Sequence, residues 1–299
     1  MKKLLILSGK GGTGKTTTAA AFIHFSGADT IVDCDVDAPN LHLVTEAAAE
    51  PERSAFYGGD KAVVDRDACQ GCGKCVEACR FGALRLADGT CQVLEHACEG
   101  CGVCAYVCPE HAIQLRQDEA GALSLYRGKR VFSTATLKMG RGNSGKLVTA
   151  VKLAAAKAAP KAELTIIDGS PGIGCPVIAS VSGVDLVLIV AEPSLSGLSD
   201  LQRILKTASI LQAHVAVCIN KWDASPEKTA ELEAFCREQQ VPVVGKIPYD
   251  QRASEAINAG VSIAAYDCPA RDALYAAYEN TMTLLHRVEK TSVQSSSLS

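Results

Sequence analysis

The sequence predicts an α/β fold: a mainly parallel sheet with helices on both faces, interrupted by a small inserted α+β domain. Three observations carry this. Short apolar runs alternate with helical patterns along most of the chain. A glycine-rich turn follows the first apolar run and leads into a helical pattern. Nine of the 14 cysteines fall between residues 69 and 108, so a different kind of unit lies within the alternation.

The elements follow in order. The first strand is expected at Lys3–Leu7, with a helix near Lys15–Phe25 and a second strand at Thr30–Asp35. Composition changes near Tyr57–Asp60, and strand-like runs return at Ala122–Tyr126 and Lys129–Ala135. An Ala- and Lys-rich helix is expected at Ser144–Ala159. Leu164–Ile167, Leu186–Ala191, Val215–Ile219 and Val243–Ile247 read as buried parallel strands. Helical patterns at Leu198–Leu211, Pro226–Gln239 and Arg252–Ala259 separate the later ones, and Pro269–Val288 reads as a last helix. The expected division is a discontinuous domain at 1–57 and 119–289, an insert at 58–118, and a disordered polar tail at 290–299.

At 299 residues the length fits about two domains. Apolar residues at 47% and charged residues at 21% exclude a disordered or collagen-like chain. The net charge of −3 gives no basic excess, and 5% aromatics offer few stacking platforms, so no nucleic-acid partner is expected. Met1–Leu7 begins like a signal peptide, but its apolar run stops at Ser8-Gly9-Lys10. Leu186–Ala191 is too short to span a bilayer. The expectation is a cytoplasmic protein without stable membrane insertion, whose reduced thiols bind metal.

Gly9-Lys10-Gly11-Gly12-Thr13-Gly14-Lys15-Thr16 fits G-x-x-x-x-G-K-[ST], between a strand and a helix as that motif requires. Its backbone N–H groups and the helix N-terminus suit phosphate oxygens. Lys15 is expected on the β- and γ-phosphates and Thr16 on Mg²⁺. Leu164–Asp168 has the form of a Walker-B strand, whose Asp168 would hold Mg²⁺ through water.

Lys10–Thr17 also matches KGGxGKT[ST], and here the chain resembles the MinD/ParA and nitrogenase-iron-protein superfamily of P-loop ATPases. The resemblance implies a mainly parallel P-loop NTPase sheet. It also implies that Lys10 reaches across a dimer to the partner's nucleotide. Asp35, in Asp33-Cys34-Asp35-Val36-Asp37, would orient the attacking water; Asp33 and Asp37 are nearby alternatives that better suit structural roles. Gly169-Ser170-Pro171-Gly172 would sense the γ-phosphate. Asn220-Lys221-Trp222-Asp223 resembles the base-reading motif of GTPases, but the superfamily places a similar Asn after the same strand to read adenine. With Lys10 present, ATP is favoured over GTP. Pro248, in Ile247-Pro248-Tyr249-Asp250, would pack beside the base, although an ordinary turn fits these residues nearly as well. The implied catalytic set is Lys10, Lys15, Asp35 and Asp168. The implied nucleotide-binding set is Gly11, Gly12, Thr13, Gly14, Lys15, Thr16, Thr17, Asn220 and Pro248.

The cysteines form two runs. Cys69-x2-Cys72-x2-Cys75-x3-Cys79 recurs 29 residues later as Cys98-x2-Cys101-x2-Cys104-x3-Cys108-Pro109. This is the spacing of bacterial two-cluster ferredoxins, in which the fourth cysteine of each run ligates the other cluster. Cys69, Cys72, Cys75 and Cys108 are expected to hold one [4Fe–4S] cluster, and Cys98, Cys101, Cys104 and Cys79 a second. Zinc also uses Cys-x2-Cys pairs, but a doubled array of this spacing favours iron–sulfur clusters. Arg80 departs from the proline common after the fourth cysteine. Cys91 reads as a spare thiol in the loop between the runs. Cys34, Cys218, Cys236 and Cys268 read as small buried residues. Cys175 reads as a packed residue by default. It lies just past the switch, where the nitrogenase iron protein has a cluster ligand, but no matching second cysteine is found. Asn143-Ser144-Gly145-Lys146 stands out without a derived chemical role.

The chain thus resembles a MinD-superfamily ATPase carrying an inserted ferredoxin-like domain, with ATP, Mg²⁺ and two [4Fe–4S] clusters as implied cofactors. The leading expectation is a homodimer, or a heterodimer with a paralogue, whose nucleotide switch gates electron transfer to a redox partner. One alternative is a factor that assembles or inserts a metal cluster into a client protein. Another is a MinD/ParA-like positioning ATPase with a redox-sensing insert, although the tail lacks the features of a membrane-binding helix.

Overall fold

A computed structural model describes residues 1–45 and 50–288. The expected tail at 290–299 lies outside the described residues. The sheet is built from strands β1 (Lys2–Leu7), β2 (Thr30–Asp33), β3 (Glu52–Val64), β6 (Ile113–Arg127), β7 (Val131–Leu137), β8 (Leu164–Asp168), β9 (Leu186–Ala191), β10 (His214–Asn220) and β11 (Val243–Ile247). Its order is β11-β10-β9-β1-β8-β2-β7-β6-β3. The neighbours from β11 to β7 pair in parallel, and β6 turns back antiparallel to both β7 and β3. The expected mainly parallel α/β sheet is thus present.

Period-two alternation decides which helices each strand meets. Leu4, Ile6, Ile166 and Leu188 face one apolar layer, and Leu5, Leu7, Ile167 and Ile189 face the other. The first layer is closed by α1 (Lys15–Ser26), α8 (Arg252–Asn258) and α9 (Pro269–Arg287). The second is closed by α4 (Ser144–Ala158), α5 (Cys175–Val181), α6 (Gly197–Ile210) and α7 (Pro226–Glu238). The last helix buries Leu274, Ala277, Thr281 and Leu285 against the core.

The largest departure from the sequence reading is β3. It runs from Glu52 to Val64 and pairs with β6 along its length, from Glu52↔Leu125 to Val64↔Ile113. The compositional change near Tyr57–Asp60 therefore falls inside a strand, at a register shift. The outer half of this ribbon carries the cysteine-rich segment: α2 (Lys74–Ala78), a hairpin of β4 (Leu84–Ala87) and β5 (Thr90–Val93), and α3 (Val103–Val107). A separate small core includes Ala62, Cys75, Leu84, Cys91, Cys98, Cys104 and Ile113. Cys91 lies on β5 and is buried, not in an open loop.

Candidate functional site

The parallel register gathers the polar residues on one edge. Ile6 pairs with Asp168 and Asp33 with Asp168, so the loop after β1 opens beside two carboxylates. This is the carboxyl edge of the strands, where open α/β sheets bind ligands. Gly14 precedes α1 at φ +95°, and a side chain built there would meet the Asn220 amide nitrogen at 2.2 Å. Only glycine satisfies both conditions. The turn leaves α1 with its N-terminus beside that loop.

Lys15 is buried and its Nζ lies 2.6 Å from Asp168 Oδ1. The Thr16 hydroxyl donates to Asp168 Oδ2 at 2.8 Å. Asp33 is fully buried, and its carboxylate accepts the N–H groups of Asp35 (3.0 Å) and Leu41 (3.2 Å). It thereby shapes the turn that carries Asp35, which is half-buried, whereas Asp37 is exposed. Burial holds the Asp35 carboxyl above the ordinary range; nearby Asp168 adds to this and Lys15 opposes it. One ammonium thus faces the carboxylates of Asp33, Asp35 and Asp168, a balance that suits a divalent cation.

Asp33 is pushed up from 3.8 to about 7, by burial first and then by the charge of Asp168. A raised carboxyl binds its proton more tightly in the folded chain, so its stability contribution is full below about pH 4 and is lost as pH rises through about 7. In nucleotide-free protein, the urea midpoint should therefore fall between pH 5 and pH 7.5. Asp33→Asn should flatten that slope; an unchanged slope would contradict the assignment.

Lys10 points back along its own chain. Its Nζ pairs with Glu192 Oε1 at 2.6 Å and lies 3.2 Å from the hydroxyls of Ser194 and Ser196. Lys221 reaches the same glutamate at 3.4 Å and donates to the Gly12 carbonyl at 3.0 Å. Burial pushes Glu192 up, but the two lysines outweigh it and leave the carboxyl below its usual range. Glu192 escaped the sequence reading; its only signal was an acid just past the Leu186–Ala191 run. Asn220 donates to the Thr13 carbonyl at 2.7 Å. A cavity bounded by Gly12, Gly14, Thr17, Asn220, Pro248 and Tyr249 opens beside these groups. The structure thus brings together the loop, Asn220 and Pro248, and separately the Lys15, Thr16, Asp35 and Asp168 group.

The CbiA family, the CobQ/CobB/MinD/ParA nucleotide binding domain, matches residues 4–263. The chain belongs to this family. It is a P-loop ATPase of the CobQ/CobB/MinD/ParA type. An uncharacterized protein of Methanocaldococcus jannaschii, MJ0578, is 37% identical over 224 residues, covering 73% of this chain and 78% of its own. A cytosolic Fe-S cluster assembly factor Nubp1 homolog of Drosophila grimshawi is 38% identical over 66 residues, or 22% of this chain and 21% of its own. In fold, the chain is similar to the cell division ATPase MinD of Pyrococcus furiosus, with a TM-score of 0.57 and 18% identity over 95% of this chain and 99% of that one. No helix among the described residues is long and apolar enough to cross a membrane.

In this CobQ/CobB/MinD/ParA-type chain, the Gly169–Gly172 turn is tied to the residue before the phosphate loop and to the turn after β2. Gly172 N–H donates to the Ser8 carbonyl at 3.0 Å, and the Ser170 hydroxyl donates to the Cys34 carbonyl. Beyond that turn comes α5, whose first residue, Cys175, is exposed rather than packed. Cys34, Cys218, Cys236 and Cys268 are buried, as expected.

The cysteine-rich segment folds as two matching halves. A side chain at Gly71 would meet the Gly89 carbonyl oxygen at 2.3 Å, and one at Gly100 would meet that of Asp60 at 2.1 Å; both partners of each pair are offset by the 29-residue repeat. Two cavities result. One is lined by Cys69, Cys72, Cys75 and Cys108, with Cys91 also on its wall. The other is lined by Cys79, Cys98, Cys101 and Cys104. Each draws three cysteines from one run and the fourth from the other. Among the described residues, no group of three or more His, Cys, Asp or Glu closes around a single metal ion.

Proposed function

We propose that this chain is an ATP-binding and ATP-hydrolysing iron–sulfur protein. In this reading a dimeric nucleotide switch controls electron transfer through two [4Fe–4S] clusters to a partner protein. The observation that carries it is the crossed division of eight cysteines between two cavities, on a chain with a CobQ/CobB/MinD/ParA nucleotide-binding domain. Cys69, Cys72, Cys75 and Cys108 would hold one cluster, and Cys98, Cys101, Cys104 and Cys79 the other, within an inserted domain at 58–118. Four thiolates spread around a cavity suit a cluster, which places each on a separate iron, better than a single ion gripped by all four. When bound, the clusters would supply one-electron chemistry.

The nucleotide end uses the chain's own groups. Lys15 would leave Asp168 for the β- and γ-phosphates. Thr16 and, through water, Asp168 would hold Mg²⁺, while Asp35 orients the attacking water. Asn220 and Pro248 would flank the base. Lys10 would leave Glu192 and reach the nucleotide of a second subunit, either an identical chain or a paralogue. Reduced thiols are in keeping with work in the cytoplasm.

Coupling has a physical route. Leu137 N–H donates to the Val36 carbonyl at 2.8 Å, joining the end of β7 to the acidic turn. Asn143 turns the chain into α4 at φ +72°. Gly145 then lies against Cys175, leaving 3.3 Å between an added side-chain carbon and Cys175 Cβ. Lys152 fastens α4 to the far end of α5, donating to the carbonyls of Ala179 (2.9 Å), Ser180 (2.7 Å) and Ser182 (2.6 Å). The Asn143–Lys146 motif thus sits between the ribbon and the helix that follows the switch.

The test is an anaerobic redox titration followed by EPR, with and without MgATP. MgATP should shift the midpoint potential or spectrum of the wild type. The shift should vanish in Lys15→Ala and diminish in Gly145→Ala, which should still bind nucleotide. Unchanged signals despite proven nucleotide binding would sink the coupling. The short likeness to a cluster assembly factor supports a second reading, delivery of a cluster to an apoprotein. Transfer of iron and sulfide to an acceptor protein, driven by ATP, would favour that reading.

A further inference from the structure

One thiol on the wall of the first cavity belongs to neither crossed set of four. Cys91 is 2% exposed, and its Sγ lies 3.5 Å from that of Cys75. Its backbone N–H donates to Cys69 Sγ at 3.4 Å. The internal repeat supplies a control for this position. Twenty-nine residues earlier stands Ala62. Ala62 pairs with Leu115 as Cys91 pairs with Leu86, and Leu86 and Leu115 are themselves 29 residues apart. The Ala62 N–H donates to Cys98 Sγ at 3.5 Å, the counterpart of the bond from Cys91 to Cys69. Ala62 is also buried and lines the second cavity. The two backbones therefore do the same work, and a methyl group fills the position in the second half. A thiol in the first half goes beyond what packing there requires.

We propose that Cys91 is a reserve ligand of the first site, able to replace Cys75; this rests on the reading that the cavities hold iron–sulfur clusters. The exchange balances without an oxidant or reductant. Cys91 gives up its thiol proton and its sulfur binds the iron. The bond between that iron and the Cys75 sulfur breaks, and the Cys75 sulfur takes the proton. The 3.5 Å separation lets the proton pass directly between the sulfurs. The first site then has two ligation states with different surroundings, whereas the second, with Ala62, has one. Ligand surroundings tune cluster potential, so the two sites are chemically unequal despite their matching runs.

The test uses the full chain, reconstituted anaerobically with ferrous iron and sulfide. Iron and acid-labile sulfide per chain are measured, with EPR of the reduced protein. Wild type and Cys91→Ala should each hold about eight irons. Cys75→Ala should also hold about eight, with a changed spectrum, whereas Cys75→Ala/Cys91→Ala should hold about four. In the other half, Cys104→Ala should fall to about four irons, and adding Ala62→Cys should restore about eight. That transplant decides the matter if Cys75→Ala fails to fold. Loss of half the iron in Cys75→Ala with no rescue by Ala62→Cys would overturn the reserve ligand and leave the two-cluster reading standing. A wild type that takes up no iron and sulfide would overturn both.

Discussion

Lys15→Ala should reduce MgATP turnover by roughly a hundredfold or more, the scale expected when a positioned charge is removed from phosphoryl transfer. The same substitution should weaken the nucleotide-free protein. Lys15 is 6% exposed and pairs with Asp168, which is fully buried. Removing one partner of such a pair leaves an uncompensated charge and costs about 3–5 kcal/mol. Here the cost is aggravated because Asp33 lies beside Asp168 and already feels its charge. Phosphate release and urea unfolding measure the two effects. Turnover close to wild type would remove Lys15 from the nucleotide site. Lost turnover with unchanged unfolding would show that Asp168 finds another partner.

The second large effect concerns Cys108→Ala. This cysteine ends the second run, yet it lines the cavity of the first. In the two-cluster reading, the variant should lose the cluster proposed for Cys69, Cys72 and Cys75 and keep the one proposed for Cys98, Cys101 and Cys104. Cys79→Ala should do the reverse. The two sites can be told apart by spectra of proteins from which Cys72 or Cys101, the exposed cysteine of each run, has been removed. If Cys108→Ala instead matches Cys101→Ala, each run closes on itself and the crossed assignment fails. Iron content should fall without destabilising the sheet, whose apolar layers are separate from the small core.

The sheet domain was legible because its strands are buried on both faces. Leu186–Ala191 is a continuous apolar run, and every residue of it is buried. The phosphate loop and Asp168 were legible because their chemistry is local in sequence. The ribbon was not. Glu52–Val64 is largely exposed, and the Gly58-Gly59 pair with its register shift breaks the alternation that marks a strand. The β4–β5 hairpin was missed although its signal was present: Asp88-Gly89, at φ +51° and +74°, makes the turn that such a dipeptide favours. Missing it left Cys91 in a loop. The seven residues of α5 were too few to show helical periodicity, and they follow a Gly-rich turn. The seat of Lys10 depends on Glu192, Ser194 and Ser196, some 180 residues away, which proximity in sequence cannot reveal.

The ribbon has a mechanical meaning. Its strands do not end at the edge of the core but continue outward as one hydrogen-bonded beam, from Glu52↔Leu125 to Val64↔Ile113. Beyond Gly59 that beam extends about 17 Å to Val64 at the usual rise of an antiparallel strand. A tilt of about 5° at its root would displace the tip by about 1.5 Å over that length. Angular changes too small to disturb the packing at the base therefore become translations at the cysteine cavities. The cysteine-rich segment thus sits at the far end of a hydrogen-bonded arm whose register shifts lie between Phe56 and Gly59.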